Sequence, residues 1–177
     1  MEREIIEDIL NGETHKFAKL VDKYQQQVAN LCYKLGGDAI DVEDATQTVF
    51  VELYASLAKF KFQAKLSTFI YSIAFNVVSK TIRKNKRYVR LEPEKEYDNM
   101  TESAVDKEII RKEKIDEQHK AIDKLKYEQR VALTLHCFED LSYKEIASIM
   151  NASLPKVESL IFRAKNNLKK MLIEQNS

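Results

Sequence analysis

Residues 141–170 read LSYKEIASIMNASLPKVESLIFRAKNNLKK, and that pattern admits few folds. Ser142 and Glu145 have the S-x-x-E spacing of a capping box, in which side chains satisfy backbone N–H groups that a first helical turn leaves unpaired. Ile146, Ala147, Ile149 and Met150 then form one apolar helical face. Asn151 and Ala152 break the pattern. Ser153 is placed to cap a second helix, with Pro155 in its first turn, where the missing N–H costs nothing. Val157, Leu160, Ile161, Ala164, Leu168, Met171 and Leu172 recur every three or four residues and predict a buried stripe. Lys156, Glu158, Ser159, Phe162, Arg163 and Lys165 are left facing outward. Two short-linked helices, the second basic and amphipathic, match a helix-turn-helix with its recognition helix. An ordinary packed helical hairpin would share this pattern, so the stretch alone leaves both readings open.

The rest of the chain narrows the fold class. With only 3 glycines and 2 prolines among 177 residues, and long 3.6-residue periodicities, the reading is all-α. No apolar run approaches a membrane span, and the opening MEREIIEDIL is too acidic for a secretory signal, so a cytoplasmic protein without membrane insertion is expected. Cys32 and Cys137 each fall on an apolar stripe, which predicts buried, reduced thiols. His136 has no partner at ligand spacing, so neither a metal nor a cofactor is expected.

Net charge is only +1, but the charges are segregated. Lys80, Arg83, Lys84, Lys86, Arg87 and Arg90 fall in a stretch without acids, while residues 92–117 carry ten acids against five bases. Lys156, Arg163, Lys165, Lys169 and Lys170 form a second basic group. Two basic patches around an acidic middle suit two DNA footprints separated by a linker, although such runs are also ordinary solvated helix faces.

Three main helices are expected before the first patch. The stripe Phe17, Leu20, Val21, Tyr24, Val28, Leu31, Leu35 ends at Gly36-Gly37, a C-cap signal. Asp41 caps a second stripe of Val42, Ala45, Val49, Leu53 and Leu57. Ser67 is expected to cap a third, with Phe69, Ile70, Ile73, Ala74, Val77 and Ile82 inward and Ser72, Asn76, Lys80, Arg83 and Arg87 outward. A flexible acidic linker over residues 91–112 is expected to divide a domain at 1–90 from a domain at 113–177. The second should contain helices over Ile115–Leu125 and Glu128–Phe138, then the helix-turn-helix.

With both halves in view, the chain resembles a bacterial RNA polymerase sigma factor of the extracytoplasmic-function (ECF) group. Four segments carry the resemblance in order: DVEDATQTVFVELY from Asp41, FKFQAKLSTFIYSIAFNVVSKTIRKNKR from Phe60, AIDKLKYEQRVALTLHCFEDLSYKEIA from Ala121, and LPKVESLIFRAKNNL from Leu154. It implies a sigma domain 2, which binds polymerase and reads and melts the −10 element, and a sigma domain 4, which reads the −35 element. The implied partners are core RNA polymerase (the clamp helices of the largest subunit and the flap of the second), promoter DNA, and an anti-sigma factor.

Residue by residue, the resemblance places Asp44, Gln47 and Thr48 against polymerase, with Thr48 standing where the family commonly has an acid. It places the loop of Phe60, Lys61, Phe62 and Lys65 around a flipped −10 base. Asn76 and Lys80 would meet that element, while Arg83, Lys84 and Arg87 would hold phosphates. These residue types fit, because bases are trapped by stacking and edge hydrogen bonds while cations follow the backbone. On the −35 side it implicates Ser142, Tyr143, Lys156, Glu158, Ser159, Phe162, Arg163 and Lys165. Glu158, Leu160 and Phe162 replace a frequent Lys, Arg and His. A carboxylate there accepts from cytosine N4 and repels phosphate, so Glu158 suits specificity more than affinity.

Two other readings stay open at this level. A stand-alone helix-turn-helix regulator would have no use for the FKFQAKL–Asn76 segment. A polymerase-binding decoy would keep the first domain and melt nothing. An enzyme is disfavoured, since no Gly-rich phosphate loop, H-E-x-x-H or compact His/Cys/acid cluster is present.

Overall fold

The computed structural model describes residues 1–89 and 121–175. The expected linker at 91–112 and most of the Ile115–Leu125 helix lie outside these residues. Seven α-helices are described: α1 (Glu2–Leu10), α2 (Phe17–Gly36), α3 (Val42–Ser56), α4 (Leu66–Val89), α5 (Tyr127–Cys137), α6 (Tyr143–Met150) and α7 (Leu154–Gln175). Short 3-10 turns at Thr14–Lys16, Gly37–Ala39 and Leu57–Lys59 join the first four.

Helices α2, α3 and α4 pack together around Leu20, Val28, Leu31, Leu35, Val49, Leu53, Ile70, Ala74 and Val78, all but inaccessible to solvent. The chain reverses where expected. Helix α2 stops because Gly37 takes φ +50°, a backbone region that costs a glycine nothing. Ile40 folds back so closely over Gly36 that a Cβ there would lie 2.4 Å from its Cδ1. Asp41 then accepts a hydrogen bond from Asp44 N at 2.9 Å and starts α3.

The second bundle, α5 to α7, buries Val131, Leu135, Ile146, Val157 and Ile161. Both halves of the capping box form at Ser142 and Glu145, and Asn151 ends α6 in the left-handed conformation. Ser153 Oγ accepts from Lys156 N at 3.4 Å at the start of α7. The two bundles touch, α4 against α6 and α2 against α5.

Three expectations need correction, and one helix was not expected. Helix α1 carried no signal used in the sequence reading; its Ile6 and Ile9 are buried in the first bundle. Helix α4 begins at Leu66, so Ser67 lies inside it, and Lys65 O already accepts from Phe69 N at 3.2 Å. Cys137 is exposed; as the last residue of α5 it lines a groove with Leu168 and Leu172 instead of entering the core. The α7 stripe is fully buried only as far as Ala164, and Leu168, Met171 and Leu172 are half-buried, the first two packed against a small cluster of Leu125, Leu133 and Ala164. Cys32 does meet expectation: it is buried and free, and burial pushes its thiol up to about 11.

Candidate nucleic-acid and polymerase interfaces

The loop between α3 and α4 folds around aromatic rings. Phe60 stacks at 4.9 Å on Phe62 and 5.2 Å on Phe69, and only Phe62 of the three is exposed. Phe62 holds φ +56°, a conformation a bulky side chain rarely accepts. The Arg3 guanidinium lies over its ring at 4.9 Å, so α1 braces the loop. A cleft of about 250 Å³ opens beside these rings, lined by Phe60, Lys61, Thr68, Phe69 and Ser72 of this domain and by Ser148 and Ile149 of α6. The Thr68 hydroxyl is buried there without a hydrogen-bond partner.

From Ser72 at the cleft, Asn76, Lys80, Lys84 and Arg83, Arg87 follow at three- and four-residue steps along α4, and from Asn76 onward all are exposed. One amide therefore stands a helical turn beyond the cleft, and cations extend away from it by about 1.5 Å per residue. Lys61 and Lys65 are exposed on the loop itself. Asn76, Lys80, Arg83, Lys84 and Arg87 thus share one face of α4, while Phe60 is half-buried in the loop that precedes it.

Helix α3 turns a second face outward. Asp44 and Gln47 are exposed, while the Thr48 hydroxyl donates to Asp44 O at 2.8 Å and is half-buried. Val51 and Tyr54 continue this face and are 69% and 46% exposed. Neither was singled out in the sequence reading. The available signal was that both fall off the Val42–Ala45–Val49–Leu53 stripe and yet are apolar. Beside them a groove of about 560 Å³ runs between α2 and α3, lined by Val21, Gln25, Ala29, Thr46, Gln47 and Phe50.

On α7, Lys156, Glu158, Ser159, Phe162, Arg163 and Lys165 are all exposed, as expected. At 100° per residue, Ser159, Phe162 and Asn166 lie opposite the buried Val157–Leu160–Ile161–Ala164 stripe. Phe162 is 67% exposed, and Asn166, also exposed, is a further residue the sequence reading passed over. Two of the expected residues have structural duties. Ser142 Oγ accepts from Glu145 N at 3.3 Å and donates to Glu145 Oε2 at 2.8 Å, so its hydroxyl is spent in the cap. Tyr143 is half-buried and packs edge-on against His136 at 4.9 Å. The backbone N–H of Ser142, then its hydroxyl, hold the Glu145 carboxyl below its ordinary value.

Among the described residues no three His, Cys, Asp or Glu side chains gather as metal ligands, and no helix is long and apolar enough to cross a membrane.

Comparison with known proteins agrees with this geometry. Residues 20–88 match the family model described as Sigma-70 region 2, and residues 116–168 match Sigma-70, region 4. The ECF RNA polymerase sigma-E factor of Escherichia coli is 30% identical, with 91% of this chain and 88% of that protein covered. The RNA polymerase sigma-H factor of Pseudomonas aeruginosa is 29% identical over 97% of this chain and 93% of that protein. Among solved structures, CnrH in complex with the cytosolic domain of CnrY superposes with a TM-score of 0.68 at 22% identity, covering 97% of both chains, a likeness of fold.

Proposed function

The chain belongs to the ECF RNA polymerase sigma factors, and from that premise we propose how its residues divide the work of transcription initiation. As a sigma factor it binds core RNA polymerase and directs it to promoters. In this reading residues 1–90 are the polymerase-binding and −10-reading domain, 91–112 the linker, and 113–177 the −35-reading domain. The protein works in the cytoplasm. It supplies recognition and strand separation while the polymerase supplies the catalytic chemistry.

The α3 face of Asp44, Gln47 and Thr48 docks on the clamp helices of the largest polymerase subunit, and the second domain meets the flap. Melting proceeds by capture. A base leaving the duplex stacks on the Phe60–Phe62 rings and pairs its edge with Asn76, while Lys61, Lys65, Lys80, Arg83, Lys84 and Arg87 follow the strand. Each stacked base contributes about 1–3 kcal/mol toward the cost of opening the helix. On α7, Glu158, Ser159, Phe162 and Arg163 meet base edges, and Lys156 and Lys165 meet phosphates. An anti-sigma factor would act by covering one of these surfaces; the solved complex of the sigma factor RpoE from Bartonella quintana with the anti-sigma factor NepR is the support for that partner.

The observation that carries this reading is the line from the aromatic cleft through Asn76 to Arg87 on one face of α4. A stand-alone regulator has no need of it. The test is run-off transcription with sigma-free core polymerase on fragmented genomic DNA. Discrete new starts sharing two upstream motifs are expected. Tight duplex binding by the chain alone, with no polymerase association, would transfer the role to a stand-alone regulator.

A further inference from the structure

Among the described residues Phe62, Asp140 and Asn151 alone take a positive φ without being glycine. Asp and Asn enter that region because a short polar side chain can bond the nearby backbone. A phenylalanine has no such compensation, so the +56° of Phe62 is held by what surrounds the ring. Two groups do so. The ring meets Phe60 at 4.9 Å with the planes inclined by 59°, and the Arg3 guanidinium lies 4.9 Å from its centroid. Phe60 is itself fixed. Its N–H donates to Leu57 O at 3.1 Å, and its ring rests 5.2 Å from Phe69 of α4. Arg3 is the one partner that comes from outside the loop and its flanking helix.

The position of Arg3 is set by α1, and α1 is well seated. Ile6 and Ile9 are 0% and 5% exposed, and the helix packs on the Leu57–Lys59 turn that leads into the loop. Glu2 accepts from the Tyr24 hydroxyl at 2.6 Å and also from Lys23 Nζ, which ties the first turn of α1 to α2. Arg3 Nε donates to Glu7 Oε1 at 2.9 Å, one turn further on. That bond steers the guanidinium and balances its charge, so Arg3 is already paired before any phosphate approaches. Both side chains are more than half exposed, and the ion pair by itself adds little to stability. Arginine suits the place because its planar head lies on an aromatic face while its edge donates; a lysine has no such plane.

We infer that Arg3 is a positioning residue for strand capture: it holds Phe62 in its left-handed conformation, so the Phe60–Phe62 pair stands formed before a base arrives. The inference rests on the assignment of those rings to the captured −10 base. A loop that is already ordered spares binding the cost of ordering it. Without Arg3 the loop is competent for only part of the time, and apparent affinity falls by that fraction.

The test uses the full-length chain bound to core polymerase and a fluorescein-labelled single strand carrying the −10 element of a promoter found by run-off transcription. Anisotropy reads its affinity across a salt series. Arg3→Ala should weaken binding about two- to fivefold, the scale of one exposed cation–π contact. Arg3→Lys keeps the charge without the plane and should recover only part of the loss. The melting temperature should stay within about 2 °C, and the salt slope should not change, since no phosphate contact is lost. Phe62→Leu removes the ring face, and in that background Arg3→Ala should cost nothing further, because the two residues act as one unit. Tighter binding by Arg3→Ala would make the guanidinium a plug on the stacking face. A salt slope lowered by about 0.7 would make it a phosphate contact. An equal loss in the Phe62→Leu background would make its effect independent of the ring. Each of these overturns the positioning role, as does no loss at all. If Phe62→Leu alone leaves the strand bound as tightly as the parent, the assignment of the loop to the −10 base falls, and the inference falls with it.

Discussion

Lys156 Nζ donates to Glu128 Oε1 at 2.8 Å, so a lysine expected on promoter phosphate is held by an acid of α5 in the free domain. Both side chains are about half-exposed, and the pair competes with DNA more than it holds the fold. Glu128→Gln should therefore tighten −35 duplex binding by the holoenzyme about two- to fivefold, and Lys156→Gln should lower the salt slope of that binding by about one. Fluorescence anisotropy across a salt series reads both; an unchanged slope would move Lys156 off the phosphate backbone.

The −10 assignment separates melting from polymerase binding. Asn76→Ala with Lys80→Ala should abolish permanganate-reactive thymines at the start site while leaving co-purification with core polymerase intact. Arg83→Glu with Arg87→Glu should weaken promoter complexes at least tenfold and polymerase association hardly at all. Equal losses in both assays would mean that this face of α4 has another role.

The α3 face predicts the reverse pattern. Val51→Asp places a charge on an apolar spot that is 69% exposed and should leave the melting temperature within about 2 °C, as surface changes usually do. It should cost about tenfold in affinity for core polymerase, measured by competition with the parent chain. Retained affinity would confine the interface to Asp44 and Gln47.

The capping box gives a pH signature. The Glu145 carboxyl is held below its ordinary 4.5 by the Ser142 backbone N–H, then by the Ser142 hydroxyl. A depressed carboxylate adds stability above its unfolded value and loses it as pH falls through its folded value. Ser142→Ala should cost about 1 kcal/mol at neutral pH. The gap to the parent should narrow as pH falls below 4.5 and the Glu145 carboxyl takes up its proton, leaving only the bond from Glu145 N to Ser142 Oγ as the difference. Thermal melts at several pH values test this, and a constant gap would assign the cost to something other than the charged cap. Ile161→Ala, at 1% exposure, should cost about 2–5 kcal/mol at every pH and serves as the core control.

Local signals read from the chain held where one side chain decides the outcome. Asp41, Gly37, Ser142, Asn151 and Ser153 each act within four residues of themselves, and each does in the fold what its type predicts. Periodicity separated the outward residues of α7 from its core for the same reason. What escaped depended on partners distant in sequence. Helix α1 is legible only once Ile6 and Ile9 have a bundle to enter. Tyr71 is buried, and its hydroxyl donates to a carboxylate 68 positions later, a partner that no local pattern announces. Cys137 and Leu135 both looked like core, but the chain turns away at Phe138 and leaves only Leu135 fully covered. Val51, Tyr54 and Asn166 were overlooked because exposure becomes informative only after the core is known.

Arg3 over the Phe62 ring gives the first helix a stake in promoter choice. Arg3 reaches the loop that would receive the base, not the α4 line that would follow the strand. Promoter preference can therefore drift through substitutions in α1, outside both matched family regions, while every residue that reads DNA stays the same. Lineages that share identical reading surfaces could serve different genes.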